Sequence, residues 1–445
     1  MLRSLYTGVE GLKTHQTKMD VIGNNIANVN TVAYKSNQVS FKNLLYQTVQ
    51  NAKGANAATN TAATNARQVG LGTAVGGITS SIATQGSTQT TNNPLDLTIN
   101  GTAFFIVNDG QQNLFTKAGN FYVDAAGYLA MTSNGYTVMG WQPNDDGTDI
   151  VQGAVSRLQI MKAANQTVAG EATTNATVSG TLDVNSDNMN TTSGQKLAIS
   201  FYDANGNPYL VNLYITKNEN SATTGAYNIT IGDLIDSSTG DVMQSTNGNN
   251  ATGTLYYNPS TGEYIGGNLV MTLDGTGTTG NAATFNLPNG ITLDFSNTNI
   301  YNNNGISTIS ATAGDADGLG TGHSAGTLKG FSVQQDGKIV GSYSNGTEKL
   351  LGQISVATFT NPTGLEKVGD NLYQTSPNSG AFDGIGVDIT AGGVGSITSG
   401  TLEMSNVDLS TEFTEMITTQ RGFQVNSRVI TVSDSMLQTL EELKR

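Results

Sequence analysis

Two seven-residue apolar repeats, one at each end of the chain, constrain its fold more than any other feature. Leu5, Leu12, Met19 and Ile26 recur every seven residues near the start, with Leu2 and Val9 on a neighbouring line that Gln16 and Gly23 interrupt. Leu409, Met416, Phe423, Ile430 and Leu437 do the same near the end, and Phe413 opens a second line that Gln420, Ser427 and Asp434 continue as polar. Apolar residues spaced this way share one face of an α-helix. The first helix is expected to end near Asn28 or Asn30, after about 40 Å at 1.5 Å per residue. The second is expected within 405–445, about 50 Å long, with Asp408 and Ser410 as candidate N-caps and Lys444 and Arg445 complementing its C-terminus. One such seam would suit an ordinary pair closing a domain. Here the second line is polar on both helices, so pairing with each other leaves much uncovered, and packing between copies of the chain is the stronger expectation.

Between the ends the texture is that of β-structure. The chain has 445 residues, with 54 glycines, 7 prolines and only 12% charged residues, which suits short strands and tight turns. Residues 47–92 are small and low in complexity, and would order only by lying against something else. From Asn93 apolar and polar residues alternate between the turn dipeptides Asn100-Gly101, Asp109-Gly110 and Asn134-Gly135. The spacing of Phe121, Val123, Gly127 and Leu129 returns in Phe331, Val333, Gly337 and Ile339. Two halves of one β-domain, split by an insertion over roughly 143–324, would read this way. Trp141 follows a strand-like run and reads as core.

The formal charge of −14 argues against a nucleic-acid partner and an anionic membrane surface. With no cysteine there is no disulfide framework, thiolate metal site or cysteine nucleophile. His15 and His323 have no metal-ligand spacing, and no phosphate-binding or nucleophile motif is present. The acidic stretches 144–149 and 314–318 read as turns, not calcium loops. No paired carboxylates suggest a β-rich carbohydrate-active enzyme. A surface adhesin would need an anchor, and the start shows neither a cleavable signal nor an apolar run of membrane length.

Residues 23–36, "GNNIANVNTVAYKS", and the stretch from 402, "LEMSNVDLSTEFTEMITTQRGFQVNSRVITVSDSMLQTLEELKR", resemble the two terminal motifs of the bacterial flagellar rod and hook proteins. The middle stretches "TKAGNFYVDAAGYLAMTSNGYTVMGW" and "FSVQQDGKIVGSYSNG" look like the β-domain those proteins share. Separate motifs in the same order over about a third of the chain make the likeness specific. The long insertion matches hook members, and a distal rod protein is the alternative. One departure concerns the family's frequent Gly-Phe-Lys: here Ala33-Tyr34-Lys35 replaces it, and Ala33 takes a positive φ less easily than glycine.

The resemblance implies export without a cleaved signal and self-assembly outside the cell, in the flagellar basal body and hook, into a curved hollow tube acting as a universal joint. Implied partners are further copies of the chain, the rod, the hook–filament junction proteins, the hook cap and the type III export machinery, with no nucleic acid, membrane, cofactor or metal and no catalysis. The expected fold class is multidomain α+β. Its terminal helices, 1–30 with 405–445, form a coiled-coil-like inner layer; 31–92 with 386–404 form linkers, 93–142 with 325–385 a split β-domain, and 143–324 an inserted outer β-domain. The expected assembly interface comprises Leu5, Leu12, Met19, Asn24, Asn25, Ile26 and Asn28 with Leu409, Met416, Gln420, Arg421, Phe423, Asn426, Ile430, Leu437 and Leu440. The asparagines are expected to bond to neighbouring copies; for Asn28 and Asn30 a plain helix stop is an equal reading.

Overall fold

The computed structural model describes residues 2–55, 62–144, 147–190, 194–218, 225–244, 252–267, 269–271 and 290–443. Lys444 and Arg445, and Asp145 and Asp146 of the first acidic turn, lie outside them. Helices α1 (Leu2–Ala27) and α2 (Leu409–Glu442) occupy the two ends, and the middle is β-rich, the fold class read from the repeats. Asp408 is the cap of α2: its carboxylate accepts from Ser410 N at 2.9 Å and from Thr411 Oγ1 at 2.8 Å, and these bonds hold its pKa below the usual value. At the end of α1, Asn28 Nδ2 donates back to Asn24 O and Oδ1, while Thr31 N donates to Asn28 O. That is a helix stop.

The chain divides into two compact units. One comprises Met1–Lys162, Phe331–Gly341 and Lys349–Arg445; the other comprises Ala163–Gly330 and Ser342–Glu348. In the first unit the sheet is assembled from both sides of the insertion. Phe104–Asn108 pairs with Asn113–Thr116 and Thr137–Trp141. Val356 and Ala357 then add to Phe105 and Phe104, and Leu372 and Tyr373 to Thr116 and Phe115. Its core draws Phe105, Val107 and Leu129 from the first half and Ile339, Leu351 and Ile354 from the second. Residues 143–162, assigned above to the insertion, belong here instead. Met139 and Gly140 pair with Arg157 and Ser156, and Leu158 and Ile160 are buried in this core. Trp141 is buried, its Nε1 donating to Gly153 O at 2.8 Å.

The second unit is a β-sandwich. A six-stranded sheet includes Gln195–Tyr202, Pro208–Lys217 and Ala226–Asp236 in that order. A four-stranded sheet contains Asn175–Asp183 parallel to Ile291–Tyr301. Phe201, Val211 and Ile229 of one meet Val178, Leu293 and Phe295 of the other in a single apolar core.

The repeat seen in sequence is a repeated turn. Gly127 N donates to Asp124 O and Asp124 N to Tyr128 O; Gly337 N donates to Gln334 O and Gln334 N to Lys338 O. Both glycines have positive φ, 85° and 80°, which a bulged hairpin turn demands. Part of the low-complexity stretch lies against a partner. Thr73–Ser80 pairs with Asn37–Asn43, and Thr73 Oγ1 lies 3.4 Å from Thr14 Oγ1 on α1.

Candidate functional site

The two helices pair with each other, antiparallel, within one chain. Ser4 Oγ lies 3.1 Å from Ser433 Oγ. A side chain on Gly8 would meet Ile430, one on Gly11 would meet Asn426, and one on Gly422 would lie 2.6 Å from the ring of His15. Lys18 Nζ is 3.0 Å from Glu415 Oε2, and Asn25 Nδ2 donates to Glu412 Oε1 at 2.8 Å. Along α1 these contacts fall on Ser4, Gly8, Gly11, His15, Lys18 and Asn25, alternating steps of four and three once the buried Ile22 is included. That is heptad packing, along a line of small and polar residues. Glycines let the backbones approach; His15 lies against Gly422, with Phe41 edge-on at 5.7 Å.

The leucine lines expected to form the seam stand one position further round each helix. Leu5, Leu12, Met19 and Ile26, with Met416 and Leu437, are only half-buried, and Leu409 and Phe423 are exposed; of these lines Ile430, also half-buried, reaches the seam, where it faces Gly8. On its other flank α1 is covered by the hairpin, where Thr14 is buried. The apolar lines are therefore the uncovered edge of the pair. Helix α2 is also the longer, by about 10 Å. Met436, Leu440 and Leu443 continue its seam positions past the start of α1, and all three are exposed.

The polar residues divide. Asn25 is buried and its amide is fully used inside the chain. Its Nδ2 donates to Asn37 O as well as to Glu412, and its Oδ1 accepts from Asn37 N and Tyr34 Oη. That leaves nothing for a neighbouring copy, correcting the role expected for Asn25. Burial raises the Glu412 carboxyl pKa, which the Asn25 bond partly offsets. Asn426 is half-buried against Gly11, whereas Asn24, Gln420 and Arg421 are exposed; Asn28 serves the helix stop.

Sequence reasoning missed the junction below this pair. Ala33 takes a left-handed φ of 55° with its methyl buried, so the glycine-type turn forms without glycine. Lys35 and Glu403 form a buried ion pair beside it. Both lie inside the two terminal motifs, which was the signal available. Among the described residues no cluster of His, Cys, Asp or Glu fits a metal ion, and no helix is long and apolar enough to cross a membrane.

Three family descriptions match the chain: "Flagella basal body rod protein" over 5–35, "Flagellar hook protein FlgE/F/G D1 domain" over 98–187 and "Flagellar basal body rod FlgEFG protein C-terminal" over 398–443. The flagellar hook protein FlgE of Borreliella burgdorferi is 34% identical over the whole of both chains. This chain belongs to the flagellar hook protein FlgE family. FlgE of Treponema pallidum is 32% identical, again over the whole of both chains. The flagellar basal-body rod protein FlgG of Bacillus subtilis is 30% identical over the same span, so hook and rod members share this full-length plan. The family is structural, and the paired terminal helices coincide with its two terminal matches.

Proposed function

We propose that the chain is the structural subunit of a bacterial flagellar hook, polymerising outside the cell into a curved hollow tube that joins rod to filament. The observation that carries this is the exposed end of α2. Met436, Leu440 and Leu443 hold seam positions and stand exposed among the described residues. A second copy of the pair, shifted along the axis, offers them a partner, and the uncovered leucine lines widen the contact. Such a contact is heterologous and does not close on itself, so it propagates as a helical polymer. Burial of the apolar lines at roughly 25 cal/mol per Å² drives it. The terminal helices form the inner layer of the tube, and the β-units move as bodies when it bends. The rod, the junction proteins, the cap and the type III export machinery are its proposed contacts.

Removing residues 436–445 tests this reading. The truncated chain is expected to keep its monomer melting temperature and to form no tubes. Tubes of normal length and stability from it would refute the reading. The full-length likeness to a rod protein favours a second reading, and electron microscopy separates the two: curved tubes support the hook, short straight rods the distal rod.

A further inference from the structure

Three stretches of chain meet where the helices join the β-body. Lys35 stands just past the end of α1, Glu403 just before the cap of α2, and residues 84–86 run between them. Lys35 Nζ lies 2.7 Å from Glu403 Oε1, with both side chains fully buried. The same ammonium donates to Thr84 O at 2.6 Å, and Gly86 N donates to the same carboxylate oxygen at 2.9 Å. Ala33 N donates to Glu403 O and Met404 N to Ser87 O. A side chain at Gly86 would stand 1.9 Å from Met404 O, so the three stretches cannot shift singly.

A buried ion pair is a poor source of net stability, because desolvation offsets the attraction; where one is kept, fixing a unique geometry is its best-attested use. This pair is not optimised for strength, since Glu403 Oε2 is buried with no hydrogen-bond partner among the described residues. The nearby Lys117 ammonium donates to Gly101 O at 2.7 Å and lies over the Phe104 ring at 5.2 Å. The location of the ion pair, pinning both helix exits at one point, is what sets it apart.

We infer that Lys35 and Glu403 are a positioning pair: they fix the direction and register in which the helix pair leaves the β-body, and so the register in which copies stack. The second clause rests on the hook reading; the first does not.

The test uses the full chain. It has no cysteine, so Tyr6→Cys on α1 and Tyr122→Cys on the β-body, both exposed positions, carry spin labels without background. Pulsed electron resonance then reads the distance between them. In Lys35→Met with Glu403→Met, apolar replacement is expected to leave thermal unfolding close to that of the parent. The label distance should spread or shift, and the critical concentration for polymerisation should rise at least about tenfold. A distance distribution identical to the parent's overturns the positioning role. Should the double variant not fold, Glu403→Gln, which keeps shape and acceptor capacity, is read by the same distance and the same two outcomes. An altered distance with normal tubes overturns the stacking clause. If the unlabelled parent forms no tubes the hook reading fails, and the distance still decides whether the pair positions the helices.

Discussion

Ala33 shows how a single residue can stand against its own preference. A left-handed backbone costs a non-glycine residue about 1–2 kcal/mol, yet Ala33 holds φ 55° because its N–H donates to Glu403 O at 2.8 Å and its methyl sits in the core. Ala33→Gly relieves the strain and gives up one buried methyl. About 1–2 kcal/mol of relieved strain is set against about 0.5–1 kcal/mol of glycine entropy and about 0.8 kcal/mol for the methyl, so denaturant unfolding is expected to shift by less than about 1 kcal/mol. Gly422 works in the opposite sense. In mid-helix it gives up about 1 kcal/mol of propensity relative to alanine, and the space it leaves is filled by His15. Gly422→Ala should therefore destabilise the helix pair despite its better propensity. His15→Ala combined with Gly422→Ala should recover part of that loss. Additive effects in this double-mutant cycle would show that the two do not share a contact.

At the scale of the helices, the division between seam and flank decides what each substitution reports. Phe423 lies on the flank and is 36% exposed in the single chain. Phe→Ala at a fully buried site costs about 3–5 kcal/mol. Phe423→Ala is expected to lower the monomer's stability by only about 1–2 kcal/mol. The remainder should emerge as a higher critical concentration, tenfold for each 1.4 kcal/mol. Calorimetry on the monomer beside a sedimentation assay on the polymer separates the two. A monomer loss equal to the whole effect would mean that the flank is already buried before assembly.

For the molecule as a whole, buried titratable groups set the response to pH. Burial pushes Lys117 down to about 8, so between about pH 8 and 10.5 the unfolded chain holds a proton that the folded one has released. Stability must rise with pH across that window, by up to about 3 kcal/mol at 1.36 kcal/mol per unit. Tyr373 is pushed up by burial and by Glu403, and Tyr257 is raised to about 12. Above pH 10 the folded chain keeps protons that the unfolded one loses, and stability must fall. Urea unfolding at a series of pH values is expected to show a maximum near pH 10. A flat or falling profile from pH 8 to 10 would mean that Lys117 is solvated in the folded state.

Periodicity and composition were enough to place two long helices at the ends and β-structure between them, because these follow from local spacing and turn chemistry. The terminal and middle motifs carried the family. What sequence left open was which face of each helix meets the other. A heptad line marks an apolar stripe, but the partner's shape decides what lies in the seam, and close backbone approach favours Gly8, Gly11 and Gly422 over the leucines beside them. The bonding of Asn25, the strained turn at Ala33 and the ion pair of Lys35 with Glu403 were likewise decided only by the tertiary structure. Each depends on a contact between residues far apart in the chain, and Lys35 and Glu403 are brought to 2.7 Å by the closure of the whole first unit.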